Sequence, residues 1–393
     1  MNLHWWPESC NTSDRIESGA QVRQLTSAPA ITYNLYCEQP YCSADGNRLA
    51  LFRTRDADPL EPGELLVYDI ERYKVTRPAK QVSGIGSGIM AIANAAWSGV
   101  LYACCGSGKE KRLVRFDINT LEQEELFSWD AIPGQGLLTV SYDNHFGLAS
   151  ARTETTSTDG RPEFGIYRVN LQTGENELIY KNADIVNPHL QFRLHSANRI
   201  MVQENRGCLV DEYVNLLRAT DERGAGLFSI ASDGTDRRDF PVAPPYTATT
   251  TGHECWIGDS DRVLVTVAAP YDDGIRCGNV LEVSHEQHKP RVVFGSPYMW
   301  NHISASRCGR FFVTDCYQLP NVPILIGSIA TGKTRVLCES KTSGGGAQYS
   351  HAHPYITSDN RYVVFNSDRS GVPQVYIASI PDGFLESLES AAG

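Results

Sequence analysis

The sequence predicts an all-β chain closed into a seven-bladed β-propeller, and three observations carry that expectation. Helical periodicity is nearly absent. In its place a four-part unit recurs: an apolar strand, a polar turn often holding Asp or Gly, a second strand, and a third strand ending in a turn. The unit returns about every 50 residues, which is blade spacing. Closing such units into a ring is how an all-β chain of 393 residues avoids long exposed edges.

The second strands are the plainest elements, each a short apolar run after a polar turn. They are expected at Arg48 to Phe52, Gly99 to Ala103, Phe146 to Ser150, Arg199 to Gln203, Arg262 to Thr266, Arg310 to Thr314 and Arg361 to Phe365. A third strand follows each one, at Glu64 to Ile70, Arg112 to Ile118, Gly165 to Leu171, Gly226 to Ser232, Asn279 to His285, Pro323 to Ile329 and Gln374 to Ile380. Residues 1–393 are therefore expected to form a single propeller domain. The fourth unit is the longest, and its extra residues, including Val210 to Arg223, are expected to form a short helix or a lid.

Composition narrows the function classes. The chain is 41% hydrophobic and 21% charged, as a globular protein is. A net charge of −11 argues against a general nucleic-acid or anionic-membrane surface. The N-terminal segment has neither a basic region nor an apolar core, so no signal peptide is expected. The most apolar window, Gly88 to Cys105, is cut by Asn94 and the Ser98-Gly99 turn into strand-length pieces, too short to span a membrane. Eleven cysteines without C-x-x-C spacing read as mostly buried free thiols in a reducing compartment, the cytoplasm.

Function has to be read from a site, because propellers serve as platforms and as enzymes. The strand before each second strand is the innermost, lining the central channel. His189 precedes the second strand of the fourth unit, His253 that of the fifth, His302 that of the sixth, and His351 and His353 that of the seventh. Half of the chain's ten histidines thus fall at equivalent inner positions of consecutive blades. If Ser350 to Tyr355 is extended, His351 and His353 share one face, with Gln348 just upstream. The most economical division is a metal site built from His302, Gln348, His351 and His353. This neutral ligand set leaves the charge of a divalent ion available to an anionic substrate. Its amide oxygen suits a harder ion such as manganese, while zinc or another first-row ion also fits imidazoles. His253 is then the candidate general base, and His189 remains for contact with substrate.

At these residues the chain resembles the oligogalacturonate lyases, polysaccharide lyase family 22. The specific part is the ordered set Gly252-His253-Glu254-x-Trp256, then His302, then Gln348-x-x-His351-x-His353-Pro354. Ser18 to Thr26, Ser43 to Phe52 and Tyr167 to Glu175 are similar to other family segments. The resemblance implies a seven-bladed propeller. It implies manganese held by the residues matching His302, Gln348, His351 and His353, and a general base matching His253. It also implies an assisting arginine in the fourth blade. There the chain departs from the family pattern: Gln203 to Cys208 replaces a His-Glu-Gly-Pro stretch, and an insertion precedes Asp221-Glu222-Arg223. Arg223 is favoured for the assisting role, with Arg206 and Arg218 as further candidates. The first blade departs as well, carrying Thr32-Tyr33-Asn34 where the family has His-Arg-Asn.

The implied reaction is β-elimination across C4–O4 of a uronate in a short acidic oligosaccharide, most directly an oligogalacturonate. The departures keep glucuronate-containing oligomers open as substrates. Two other readings remain: a non-enzymatic interaction platform, which needs no ring of inner histidines, and a metal-dependent hydrolase, which differs in its product.

Overall fold

Each sequence unit folds as a set of antiparallel strands, the first two units linked by pairing of Val82 with Cys105, and the units close into the seven-bladed propeller. The computed structural model describes residues 3–12, 14, 16–54, 63–82, 92–268 and 278–390. The blades start on inner strands at Ile31–Tyr33, Ile92–Asn94, Thr139–Val140, Gln191–Phe192, Thr250–Trp256, Ile303–Ala305 and Tyr355–Ile356. Each of the expected second and third strands is present, with ends differing by a few residues. The second strand of blade 4, Arg199–Asn205, is buried along its whole length. A blade has a neighbour on both faces, so its central strands lose the in–out alternation of a half-exposed sheet.

Apolar clusters fill the gaps between neighbouring blades. Between blades 5 and 6, for example, Leu264 and Val280 meet Ile303, Phe312 and Leu325. Between blades 6 and 7, Val313 and Ile326 meet Val363 and Phe365. The polar turns have a recurring construction: the hydroxyl of Ser43, Ser141 or Thr357 bonds an Asp two residues on. The same hydroxyls accept the N–H groups of Arg48, Phe146 and Tyr362, so one small residue closes each hairpin.

The ring is joined by its two ends. Val22–Gln24 pairs antiparallel with Gln374–Ser379, completing blade 7 from the N-terminal side. The one α-helix among the described residues, Phe384–Glu389, packs Phe384 and Leu388 against the cluster between blades 6 and 7. No helix among these residues is long and apolar enough to cross a membrane. All ten described cysteines are free, as expected. Cys277 and residues 88–91 of the apolar window lie outside the described residues.

Two expectations about local structure are corrected. The insertion in blade 4 contains a two-stranded hairpin, Leu209–Val210 paired with Leu216–Arg218, and no helix. The Asp211 carboxylate accepts from Tyr213 N, Asn215 N and Asn215 Nδ2, a local turn that competes with helix formation. Ser350 to Tyr355 is also not extended. Gln348–Ser350 forms a 3₁₀ turn, and His353 is left-handed at φ 44°. Side-chain amides replace strand pairing there, Asn366 Nδ2 donating to His351 O and Asn34 Nδ2 to His353 O.

Candidate active site

Inner-strand irregularity places the candidate side chains. In blade 5, Gly252 at φ 86° coincides with a register shift between Thr250 and Glu254, and His253 follows it. His302 directly precedes the inner strand of blade 6. His189 at φ 43° and His353 at φ 44° each stand two residues ahead of their inner strands. A left-handed, non-glycine residue costs on the order of 1 kcal/mol or more and persists where surrounding structure imposes it. In blade 1 the chain leaves the sheet after Tyr33 and rejoins it at Cys42, which bridges Leu49. The intervening loop carries Tyr36 and Glu38 to the other site residues.

His302, His351 and His353 converge, with one donor atom from each lying within 4.8 Å of the others. The ring centroids of His302 and His353 are 4.2 Å apart, and His351 is 5.4 Å from His302. Their hydrogen bonds decide which nitrogens are free. His302 Nδ1 donates to Asp315 Oδ2 at 2.8 Å, which leaves Nε2 to bind. Asp315 is fully buried, and its other oxygen accepts the His302 backbone N–H at 3.1 Å. This carboxylate–histidine arrangement fixes a ligand's tautomer and raises its basicity. His351 Nε2 donates to Gly345 O at 3.0 Å, and its buried Nδ1 has no hydrogen-bond partner. Both ring nitrogens of His353 are buried and without a partner. Burial and the neighbouring imidazoles hold His353 well below the usual histidine range, and lower His351 as well. His351 and His353 thus offer buried, unpartnered ring nitrogens beside His302, and the three together fit a metal ion.

Gln348 lies three residues before His351, in the 3₁₀ turn. It lines a cavity of about 590 Å³ together with Tyr36, Glu38, Arg152, His189, Tyr213 and Val214. The blade-4 hairpin thus contributes its tip to the cavity wall.

His253 packs beside the three converging histidines, its ring 4.5 Å from that of His302. Burial and His302 lower its pKa to about 4 against the pull of Glu38, so the ring is neutral and able to accept a proton. Glu38 connects several parts of the site. Its Oε1 lies 3.2 Å from His189 Nδ1 and 3.5 Å from His253 Nδ1. Gln191 Nε2 donates to its Oε2 at 3.3 Å. Burial opposes the charge on Glu38, but His189 and His253 outweigh it and hold the carboxyl low. Burial likewise opposes charge on His189, and Glu38 raises it. Glu254, fully buried with neither oxygen hydrogen-bonded, is pushed up by burial and by Glu38.

The fourth-blade arginines are already engaged. Arg223 Nη2 bonds Asp221 at 2.6 Å, Arg206 Nε bonds Glu204 at 3.0 Å, and Arg218 donates twice to Gly207 O. None of the three lines the cavity, where the guanidinium present is that of Arg152. Sequence reasoning missed Asp315, Glu38, Tyr36 and Arg152. Asp315 ends the second strand of blade 6, a carboxylate closing an otherwise uncharged run, and that was the one local signal available.

No protein-family model matches the chain. An oligogalacturonide lyase from Pectobacterium atrosepticum is 24% identical, the alignment covering 96% of this chain and 97% of that protein. An oligogalacturonate lyase from Dickeya dadantii is also 24% identical, with 93% and 94% covered. A solved oligogalacturonate lyase in complex with manganese superposes with a TM-score of 0.73 at 18% identity, covering 97% of this chain and 99% of that one. An oligogalacturonate lyase from Vibrio parahaemolyticus superposes with a TM-score of 0.65, also at 18% identity, covering 98% of both chains. The resemblance read from the sequence therefore extends over almost the whole chain, and the fold is shared.

Proposed function

We propose that this chain is a carbon–oxygen lyase that cleaves the C4–O4 glycosidic bond of short oligogalacturonates by β-elimination, with a divalent metal ion, manganese foremost. The observation that carries the reading is the convergence of His302, His351 and His353, with buried unpartnered nitrogens on His351 and His353, beside a neutral His253. Similarity along nearly the full chain to proteins named as such lyases supports it.

The metal ligands in this reading are His302, His351, His353 and Gln348. A divalent ion held there supplies Lewis acidity that stabilises negative charge developing on a uronate carboxylate. The residues of the chain perform the rest. His253 accepts the C5 proton on its free nitrogen, the electron pair of the broken C–H bond forms C4=C5, and O4 departs with the remainder of the chain. Asp315 holds His302 in the binding tautomer. Arg223 reaches a substrate carboxylate only by giving up Asp221, whereas Arg152 already borders the cavity. Arg206 and Arg218 are subject to the same exchange. His189 contributes to the wall next to Glu38, on the side where substrate binds.

An acidic substrate fits a chain of net charge −11 only where local cations override that background, and the metal and arginine do so. Free cysteines support a reducing, cytoplasmic setting. The reading includes no nucleic-acid or membrane partner.

The test is an ultraviolet absorbance screen over oligogalacturonates and glucuronate-containing oligomers. Elimination creates a conjugated, absorbing C4=C5 bond. Absorbance should rise with oligogalacturonate, stop on chelation, and return when manganese is restored. A rise only with glucuronate oligomers would move the substrate, and no rise with any uronate would refute the lyase reading.

A further inference from the structure

We propose that Glu38 is the positioning residue for His253, fixing the ring with its proton on Nδ1 so that bare Nε2 is the atom offered to substrate. The proposal rests on the reading of His253 as proton acceptor. It is carried by what surrounds Nδ1. Two oxygens face that nitrogen, Glu38 Oε1 at 3.5 Å and the Tyr36 hydroxyl at 3.4 Å.

The carboxylate selects the tautomer, and the hydroxyl is compatible with it. An ionised carboxylate only accepts, so toward Glu38 the imidazole must donate. The Tyr36 hydroxyl could in principle do either. With Nδ1 donating toward the carboxylate, the hydroxyl meets the same nitrogen with an oxygen lone pair. The opposite tautomer would leave a bare Nδ1 facing a carboxylate and would aim an N–H at the C–H to be broken. An imidazole so oriented cannot take the proton.

Glu38 is built to hold this position. The loop after the inner strand of blade 1 delivers it, and Gln191 of blade 4 fixes its second oxygen. His189 stands between Glu38 at 3.2 Å and Glu254 at 3.6 Å, supplying a countercharge inside the protein. The carboxylate therefore stays ionised although it is buried. Once His253 has taken a proton, the same carboxylate lies against the new imidazolium and stabilises it. Glu38 thus acts through His253 and needs no contact with substrate.

The experiment reads the tautomer directly. In protein carrying nitrogen-15 histidine, both metal-free and loaded with diamagnetic zinc, His253 is assigned by the resonances lost in His253→Gln. The wild-type ring should be protonated on Nδ1 and bare on Nε2. In Glu38→Gln the ring should become a mixture of tautomers. In the manganese-loaded variant kcat should fall about 10- to 100-fold, with KM within about twofold and metal content unchanged. If Glu38→Gln does not fold, the wild-type tautomer decides alone. A wild-type His253 protonated on Nε2 would overturn the proposal. So would a Glu38→Gln enzyme of unchanged kcat when His253→Ala is inactive. An active His253→Ala enzyme would instead remove the premise, the role of His253 itself, and the proposal with it.

Discussion

Replacing His253 with alanine should lower kcat by about 10²- to 10⁴-fold, the usual contribution of a positioned general base, while bound metal stays at the wild-type level. The separation of the two effects follows from geometry. His253 lies beside His302, with ring centroids 4.5 Å apart, yet the converging donor atoms come from His302, His351 and His353. Its Nδ1 is taken up by Glu38 and Tyr36, so the ring is held by the protein whether or not a metal is bound. Steady-state kinetics together with elemental analysis of the purified variant check this. Loss of metal along with activity would make His253 a ligand, and a wild-type rate would remove it from the chemistry.

His353→Ala should lose metal and turnover together. His353 is fully buried, and neither ring nitrogen has a protein partner, so nothing else in the structure uses them. Removing an outer-shell partner of a metal site typically costs 10- to 100-fold in affinity, and losing one of three imidazoles should exceed about 100-fold. The fold should survive, because the backbone there is held by Asn34 and Asn366 rather than by the imidazole. Circular dichroism should therefore match wild type while elemental analysis finds no bound ion. A His353→Ala protein that keeps stoichiometric metal would show that the ion sits elsewhere.

The blades were legible in the sequence because their central strands are buried on both faces and therefore read as unbroken apolar runs. The apolar runs Phe311 to Val313 and Tyr362 to Phe365 within two of these strands are examples. The histidines were legible because they recur at the inner ends of consecutive blades. How His351 and His353 converge was not legible. Same-face strand geometry was expected, but a left-handed His353 and the Asn34 and Asn366 bonds bring the rings together. Glu38 was invisible for a different reason. It lies 215 residues from His253 (253 minus 38) on a loop of another blade, and only ring closure brings them together. The blade-4 insertion was expected to form a short helix or a lid, and it forms a hairpin instead of a helix. Asp211 gathers three local donors into a turn, which a count of apolar residues does not reveal. The arginine was the weakest inference, because an Asp-x-Arg pattern gives no sign that the Asp will hold the Arg, as Asp221 holds Arg223.

The central claim is elimination rather than hydrolysis, and the fate of water separates the two. A digalacturonate should be digested by the manganese-loaded protein in oxygen-labelled water and its products weighed by mass spectrometry. Elimination predicts one saturated and one unsaturated monouronate whose masses sum to that of the substrate, with no labelled oxygen fixed by bond cleavage. Two saturated monouronates, one of them carrying a labelled oxygen at the cleaved bond, would contradict the account and make the site that of a hydrolase.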